Sequence, residues 1–209
     1  MTAVYRWMTL GLALTALVAY SVASSEEALN LVVGNRFVFF GLIICEFGLV
    51  IAISAAANRL SAATAGGLFL LYSALNGATL AVVLLLYTGS SVALAFVTTA
   101  GTFGAMSVYG TVTRRDLTSW GSFLMMGLIG VVIASVVNVF LRSGAMSFVI
   151  SCAAVVVFTG LAAYDTQKLR ALARAGGGAA AMPVNGALAL YLDFVNLFLA
   201  LLRLFGRRR

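Results

Sequence analysis

The 209 residues are 63% hydrophobic and only 9% charged, with a mean hydropathy of +1.09, whereas soluble chains carry roughly a quarter charged residues. Most of the chain therefore has lipid as its solvent. Seven spans of about 20 residues each leave only short loops, which excludes a separate soluble catalytic or nucleic-acid-binding domain. The net charge of +7, from 13 Lys+Arg against 6 Asp+Glu, then reads as a topology signal and not as a nucleic-acid footprint.

In chain order, the first predicted span covers 4–23. Its length and the small residues Val22, Ala23 and Ser24 imitate a signal peptide, but the six spans that follow favour an uncleaved first helix. Glu26 and Glu27 mark a loop, and the second span, 37–57, closes at Asn58 and Arg59. The third runs over 62–87 and turns at Thr88, Gly89, Ser90 and Ser91. The fourth, 92–112, ends at Arg114, Arg115 and Asp116; the fifth, 120–141, is followed by Arg142, Ser143 and Gly144. The sixth covers 145–166. The stretch 175–186, with three consecutive glycines and the only proline, Pro183, reads as the longest loop and a mobile one. The seventh span, 187–205, precedes Arg207, Arg208 and Arg209.

Absences narrow the chemistry. Without histidine there is no imidazole base, no histidine metal ligand and no histidine pH switch. Cys45 and Cys152 are isolated in apolar runs and read as buried packing residues. No nucleophile–base pair or metal cluster can be assembled, so an enzyme is not expected, and no cofactor is implied. With the amino terminus inside, the inner loops hold Arg6, Arg59, Arg114, Arg115, Lys168, Arg170 and Arg174, and the outer loops only Arg36 and Arg142, which obeys the positive-inside rule. The arginines after the seventh span break that pattern, so the side of this tail stays open. Trp7, Tyr20, Tyr87 and Trp120 stand at span ends, as interfacial aromatics do.

Acids within the membrane are the informative residues, because an ionised carboxylate there is costly unless paired or wetted. Glu46 lies about 15 Å below Arg36 at about 1.5 Å per residue and needs a partner from another helix. Arg203 is the candidate, either as a structural pair or as a gate. Asp165 lies near the inner end of the sixth span and Asp193 about 10 Å up from the inner end of the seventh, so opposite travel brings both carboxyls to similar depth. Asn196 is one turn beyond Asp193, and Arg59 caps the second span at that level. The group is either a shared proton site, titrating in two coupled steps, or a set of unconnected snorkelling acids. Ser73, Asn76 and Thr79 recur every three residues in the third span. Thr98, Thr102 and Tyr109 form a stripe in the fourth, and Ser135, Asn138 and Arg142 another in the fifth. Such groups hydrogen-bond between helices or line a polar path.

Residues 160–170, Gly-Leu-Ala-Ala-Tyr-Asp-Thr-Gln-Lys-Leu-Arg, and 190–198, Leu-Tyr-Leu-Asp-Phe-Val-Asn-Leu-Phe, resemble the two aspartate motifs of the Bax inhibitor-1 family. Weaker matches are 72–80, and 104–110 leading into Thr113 to Leu117, so the resemblance covers nearly the whole chain and looks closest to the bacterial branch. It implies an all-α polytopic bundle of seven transmembrane helices forming one membrane domain in the inner membrane, with the last helix central; the cytoplasmic amino terminus is the positive-inside expectation. It further implies a pH-sensitive calcium leak channel. Asp165 and Asp193 would be the proton sensor and transient Ca²⁺ ligands, Arg59 a latch, and Glu46 with Arg203 a candidate outer seal; Asn196, Tyr164 and Gln167 would support the sensor. The partners on this reading are the bilayer, Ca²⁺ and H⁺, with no nucleic acid. The rival reading is a non-channel modulator that binds another membrane complex, such as a membrane protease or a stress and cell-death regulator. A proton-coupled transporter ranks third, since no inverted repeat is visible between the halves.

Overall fold

The computed structural model describes residues 1–56, 59–175 and 181–209. Among the described residues eight helices follow one another: α1 (Thr2–Ala23), α2 (Glu26–Val32), α3 (Arg36–Ala55), α4 (Ala62–Leu86), α5 (Gly89–Val112), α6 (Thr118–Leu141), α7 (Gly144–Arg174) and α8 (Met182–Phe205). Seven of them, all but α2, are long and apolar enough to cross a membrane. The protein is thus an all-α polytopic membrane protein, as its composition requires.

Several element ends differ from expectation. Glu26 and Glu27 do not sit in a loop but in the first turn of α2. The Ser25 side chain accepts from the Ala28 amide at 3.3 Å, and two acids in the first turn favour the positive end of the helix dipole. Helix α8 begins at Met182, inside the predicted 175–186 loop, and takes Pro183 into its first turn, where a missing N–H costs nothing. The glycine run 176–178 and residues 57 and 58 lie outside the described residues.

The chain divides into two compact units. One comprises Met1–Thr88, Ala175–Tyr191 and Arg208–Arg209; the other comprises Gly89–Arg174 and Leu192–Arg207. Helix α8 gives its first half to one and its second half to the other, and more than half of its most apolar 18 residues are buried, a larger share than in any other described span.

In the first unit, α1 packs along α4, and α3 covers another face of α4. Close approach depends on Gly77: a Cβ there would stand 2.6 Å from the Thr15 carbonyl oxygen and 2.9 Å from Val18 Cβ. Small residues at such crossings let helix backbones touch, which is how helices associate in lipid. Above this point aromatic rings fill the core. The Tyr191 ring packs edge-on against Phe69 at 5.6 Å and Tyr72 at 5.7 Å, and Trp7 meets Phe69 at 6.4 Å. Each such pair adds about 0.5–1.5 kcal/mol beyond area burial. By contrast α3 buries only Ile53 completely, and Phe37, Ile44, Phe47 and Ile51 are its most exposed large apolar side chains. Cys45 shares that exposure. It was expected to be buried; on a span, an exposed apolar face is one that lipid covers.

The first unit also places the tail. Tyr87 and Arg208 form an isolated antiparallel bridge, and the Arg209 amide donates to the Leu86 carbonyl at 3.0 Å. The Tyr191 contacts and this bridge make α8 run parallel to α4, so the tail is on the same side as the α4–α5 turn. Tyr87 is only 6% exposed, so it is a bridge residue and not an interfacial anchor, while Tyr20 and Trp120 are exposed.

In the second unit, α7 is the axis, packed by α5 on one side and α6 on another. Gly110 meets the Ala163 backbone so closely that a Cβ has no room. At 31 residues, α7 is about 46 Å long at 1.5 Å per residue and outruns a hydrocarbon core of about 30 Å. Its last turns carry Lys168, Arg170 and Arg174 beyond the predicted end of the sixth span at 166. Arg142 closes α6 in the left-handed conformation, φ 50°. The Asn138 side chain secures that turn, accepting from the Ser143 amide at 3.1 Å and donating to Ser147 Oγ at 2.7 Å.

Candidate functional site

The second unit brings Asp165 of α7 and Asp193 of α8 together. Their carboxyl groups lie within hydrogen-bonding reach of each other, as the matching depths implied. Asp193 is 5% exposed and Asp165 half-buried. Among the described residues no donor reaches Asp193 Oδ2. Phe194, next in the chain, packs edge-on against Phe96 at 5.6 Å and Phe103 at 5.5 Å. One turn after Asp165 along α7, the Lys168 ammonium acts on that carboxyl while lying 5.7 Å from the centre of the Tyr164 ring.

The expected supporting residues take other positions. The Tyr164 ring lies against Gly121 of α6. Gln167 clamps the α5–α6 loop: its Oε1 accepts from the Leu117 amide and its Nε2 donates to the Arg115 carbonyl, both at 2.9 Å. Asn196 donates to the Leu192 carbonyl of its own helix at 2.8 Å. Thr166 is fully buried and donates to Ser107 Oγ at 3.4 Å. Arg59 is exposed in the turn after α3, in the first unit. Arg203 is exposed in the last turn of α8, in the second.

Glu46, in the first unit, finds its partners on α4. Its Oε2 accepts from Asn76 Nδ2 at 3.1 Å and its Oε1 from Thr79 Oγ1 at 2.9 Å. Both donors belong to the polar stripe visible in the third span. The stripe continues inward: the Tyr191 hydroxyl meets Asn76 Oδ1 at 3.0 Å and Thr15 Oγ1 at 2.6 Å. Tyr191 and Thr15 were not among the sequence candidates. Tyr191 stands two residues before Asp193 inside the second motif, which was the available signal; Thr15 sits in an ordinary apolar run and gave none.

Comparison with known proteins agrees with this architecture. A family model described as "Inhibitor of apoptosis-promoting Bax1" matches residues 1–209. The chain belongs to the Bax inhibitor-1 family. The inner membrane protein YbhL of Escherichia coli K12 is 50% identical over 214 residues, covering 100% of this chain and 92% of the relative. A protein of Borreliella burgdorferi is 46% identical over 210 residues, covering 99% and 90%. One from Deinococcus radiodurans is 46% identical over 211 residues, covering 100% and 90%. Within the Bax inhibitor-1 family, then, this chain is similar to bacterial members along its whole length.

For metal chemistry the site is sparse. Among the described residues no group of three or more Asp, Glu, Cys or His side chains could hold an ion. Two carboxyls alone suit a weak, transient oxygen-ligand stop for a hard cation, not a tight cage.

Proposed function

We propose that this protein is a pH-sensitive calcium leak channel of the bacterial inner membrane, with the Asp165–Asp193 pair as its proton sensor. The carboxyl pair carries the reading. Two ionised carboxylates about 4 Å apart repel by about 4 kcal/mol at an effective dielectric constant near 20. A shared proton replaces that repulsion with a hydrogen bond and gives Asp193 a donor, so the pair titrates as one unit. Because the two acids stand on different helices, gaining or losing that proton changes the force between α7 and α8 and biases a two-state bundle. Weak ligation by two carboxyls suits passage over retention. Family membership, with the activity that the resemblance implies, supplies the ion, and the inner-membrane relative supplies the membrane. The latch role implied for Arg59 belongs to the same reading: Arg59→Gln should raise flux at the pH where the wild type is least conducting.

The test is calcium entry into dye-loaded proteoliposomes, stepped from acid to mildly alkaline pH, for wild type, Asp193→Asn and protein-free vesicles. Protein-dependent flux whose pH profile changes in Asp193→Asn is expected. A wild-type pH profile in both Asp165→Asn and Asp193→Asn would refute the sensor. Absence of flux at every pH, from folded protein, would favour the second reading, a modulator that docks another membrane protein. The observation on that side is the face of α5 around Gly101 and Gly104, where an added Cβ would meet only open space, the kind of surface on which transmembrane helices associate.

A further inference from the structure

The polar chain in the first unit has a hydrogen too few. Thr15 Oγ1 points at the Ser73 carbonyl at 2.8 Å and at the Tyr191 hydroxyl at 2.6 Å, and that hydroxyl points at Asn76 Oδ1 at 3.0 Å. These three contacts share two hydroxyl hydrogens, since each hydroxyl donates once. The Asn76 amide cannot supply a third, because its Nδ2 is turned to Glu46 Oε2. Ser73 cannot either, because its hydroxyl donates to the Phe69 carbonyl at 2.9 Å. Thr15, Ser73, Asn76 and Tyr191 are all buried, so they must satisfy one another, and an unfilled contact there is costly.

One proton removes the deficit. With a hydrogen on Glu46 Oε2 and the Asn76 amide turned over, Glu46 donates to Asn76 Oδ1 and Asn76 Nδ2 donates to the Tyr191 hydroxyl. Tyr191 then donates to Thr15, and Thr15 to the Ser73 carbonyl. Each of the four contacts then holds one hydrogen, with no heavy atom displaced beyond the exchange of amide oxygen and nitrogen, which are nearly isosteric. Thr79, donating to Glu46 Oε1 at 2.9 Å with the Asn76 carbonyl also in reach at 3.0 Å, serves either arrangement.

We propose that Glu46 is a second proton-binding site, separate from the aspartate pair, and that its occupancy reverses the hydrogen-bond direction along Asn76, Tyr191 and Thr15. The ligand is a proton and the reader is a chain of side chains on α3, α4, α8 and α1. Glu46 and Thr79 are half-buried while the inner members are sealed, and Glu46 carries the one carboxylate of this hydrogen-bond chain, so the added proton resides at the Glu46 end. The titratable groups facing Glu46 are Tyr72 from α4 and Tyr191 from α8. Its side-chain partners are the neutral Asn76 and Thr79, and α2, the other helix packed on α3, carries Glu26 and Glu27 exposed in its first turn. No cation among these groups compensates the carboxylate. On α8, Tyr191 stands two residues before Asp193, so the reversal is felt on the helix that carries the proposed sensor.

Infrared difference spectroscopy of the reconstituted full chain, acid minus alkaline, tests this without reference to calcium flux. A protonated-carboxyl band is expected that shifts on carbon-13 labelling of glutamate, vanishes in Glu46→Gln and survives in the Asp165→Asn, Asp193→Asn double variant. Tyr191→Phe, which keeps the ring packing, should move the midpoint of that band. The label on wild-type protein keeps the test valid if Glu46→Gln fails to fold. A Glu46 carboxyl that never changes state while the protein is folded overturns the proposal, as does a band that remains in Glu46→Gln. A midpoint indifferent to Tyr191→Phe overturns the coupling along the chain.

Discussion

Gly77→Ala is the sharpest test of how the first unit is held together. The new methyl carbon would lie 2.6 Å from the Thr15 carbonyl oxygen, 2.9 Å from Val18 Cβ and 3.2 Å from Thr15 Cα. Two of the three obstacles are backbone, so no rotamer change relieves them, and α1 must back away from α4 by several tenths of an ångström. A gap of about 0.5–1 Å forfeits a quarter to a half of each affected dispersion contact. Overpacking of this kind costs about 1–3 kcal/mol. For a chain of this length each kcal/mol moves Tm by about 2–4 °C, so a loss of roughly 2–12 °C is expected. The control is Gly67→Ala on the same helix, where an added Cβ meets nothing within 4 Å; it should be neutral or gain up to about 1 kcal/mol of helix propensity. Trp7 fluorescence, in a Trp120→Phe background, follows the melt at this interface because Trp7 rests on Phe69. Equal Tm values for Gly77→Ala and Gly67→Ala would refute the claim that α1 and α4 meet backbone to backbone at Gly77.

Other expectations are independent of that crossing. Tyr191→Phe and Thr15→Val should each destabilise the protein, and because they share one 2.6 Å contact a double-mutant cycle in detergent should show coupling of about 0.6–1.7 kcal/mol, from the average to the maximum for hydrogen bonds between membrane helices. Arg142→Gly should raise Tm, since φ 50° costs an L-residue about 1 kcal/mol that glycine does not pay. Outside the membrane, Asp116 accepts from the Thr118 hydroxyl at 2.6 Å and the Thr118 amide at 2.9 Å, which hold its carboxyl below the usual range. Its support for the start of α6 is therefore present above the ordinary carboxylate range and is lost as pH falls through the lowered folded value. Carbon-13 NMR should show the Asp116 titration moving back up in Thr118→Val.

The spans were legible because lipid imposes a crude rule, an apolar run of sufficient length, and the chain obeys it seven times. Ends were harder. Helix α7 continues to Arg174 because Gln167 and Leu169 keep finding partners beyond the apolar run, and α8 starts at Met182 because Pro183 initiates a helix as readily as it ends one. The meeting of Asp165 and Asp193 followed from depth alone, since two antiparallel helices with acids at one level need only rotate correctly. Asn196 illustrates the limit: one turn from Asp193 fixes its face, yet its amide bonds to its own helix. Glu46 is the converse, since its donors Asn76 and Thr79 stood in a visible stripe, but nothing in sequence spacing says which helix a stripe faces.

The division of α8 between two units sets a timetable for synthesis. Thr88 completes the first four helices, but the next segment of their unit, Ala175–Tyr191, is complete only about a hundred residues later, roughly 5–20 s of translation at 5–20 residues per second. Until then Asn76 and Thr15 lack Tyr191, and the nascent helices carry polar side chains in the bilayer with an incomplete set of partners. The intervening helices α5 to α7 are inserted during that interval. Ribosome-bound chains halted before residue 182 should accordingly hold α1 and α4 loosely, and the 24 residues of α8 act as the bolt that closes an assembly begun with α1.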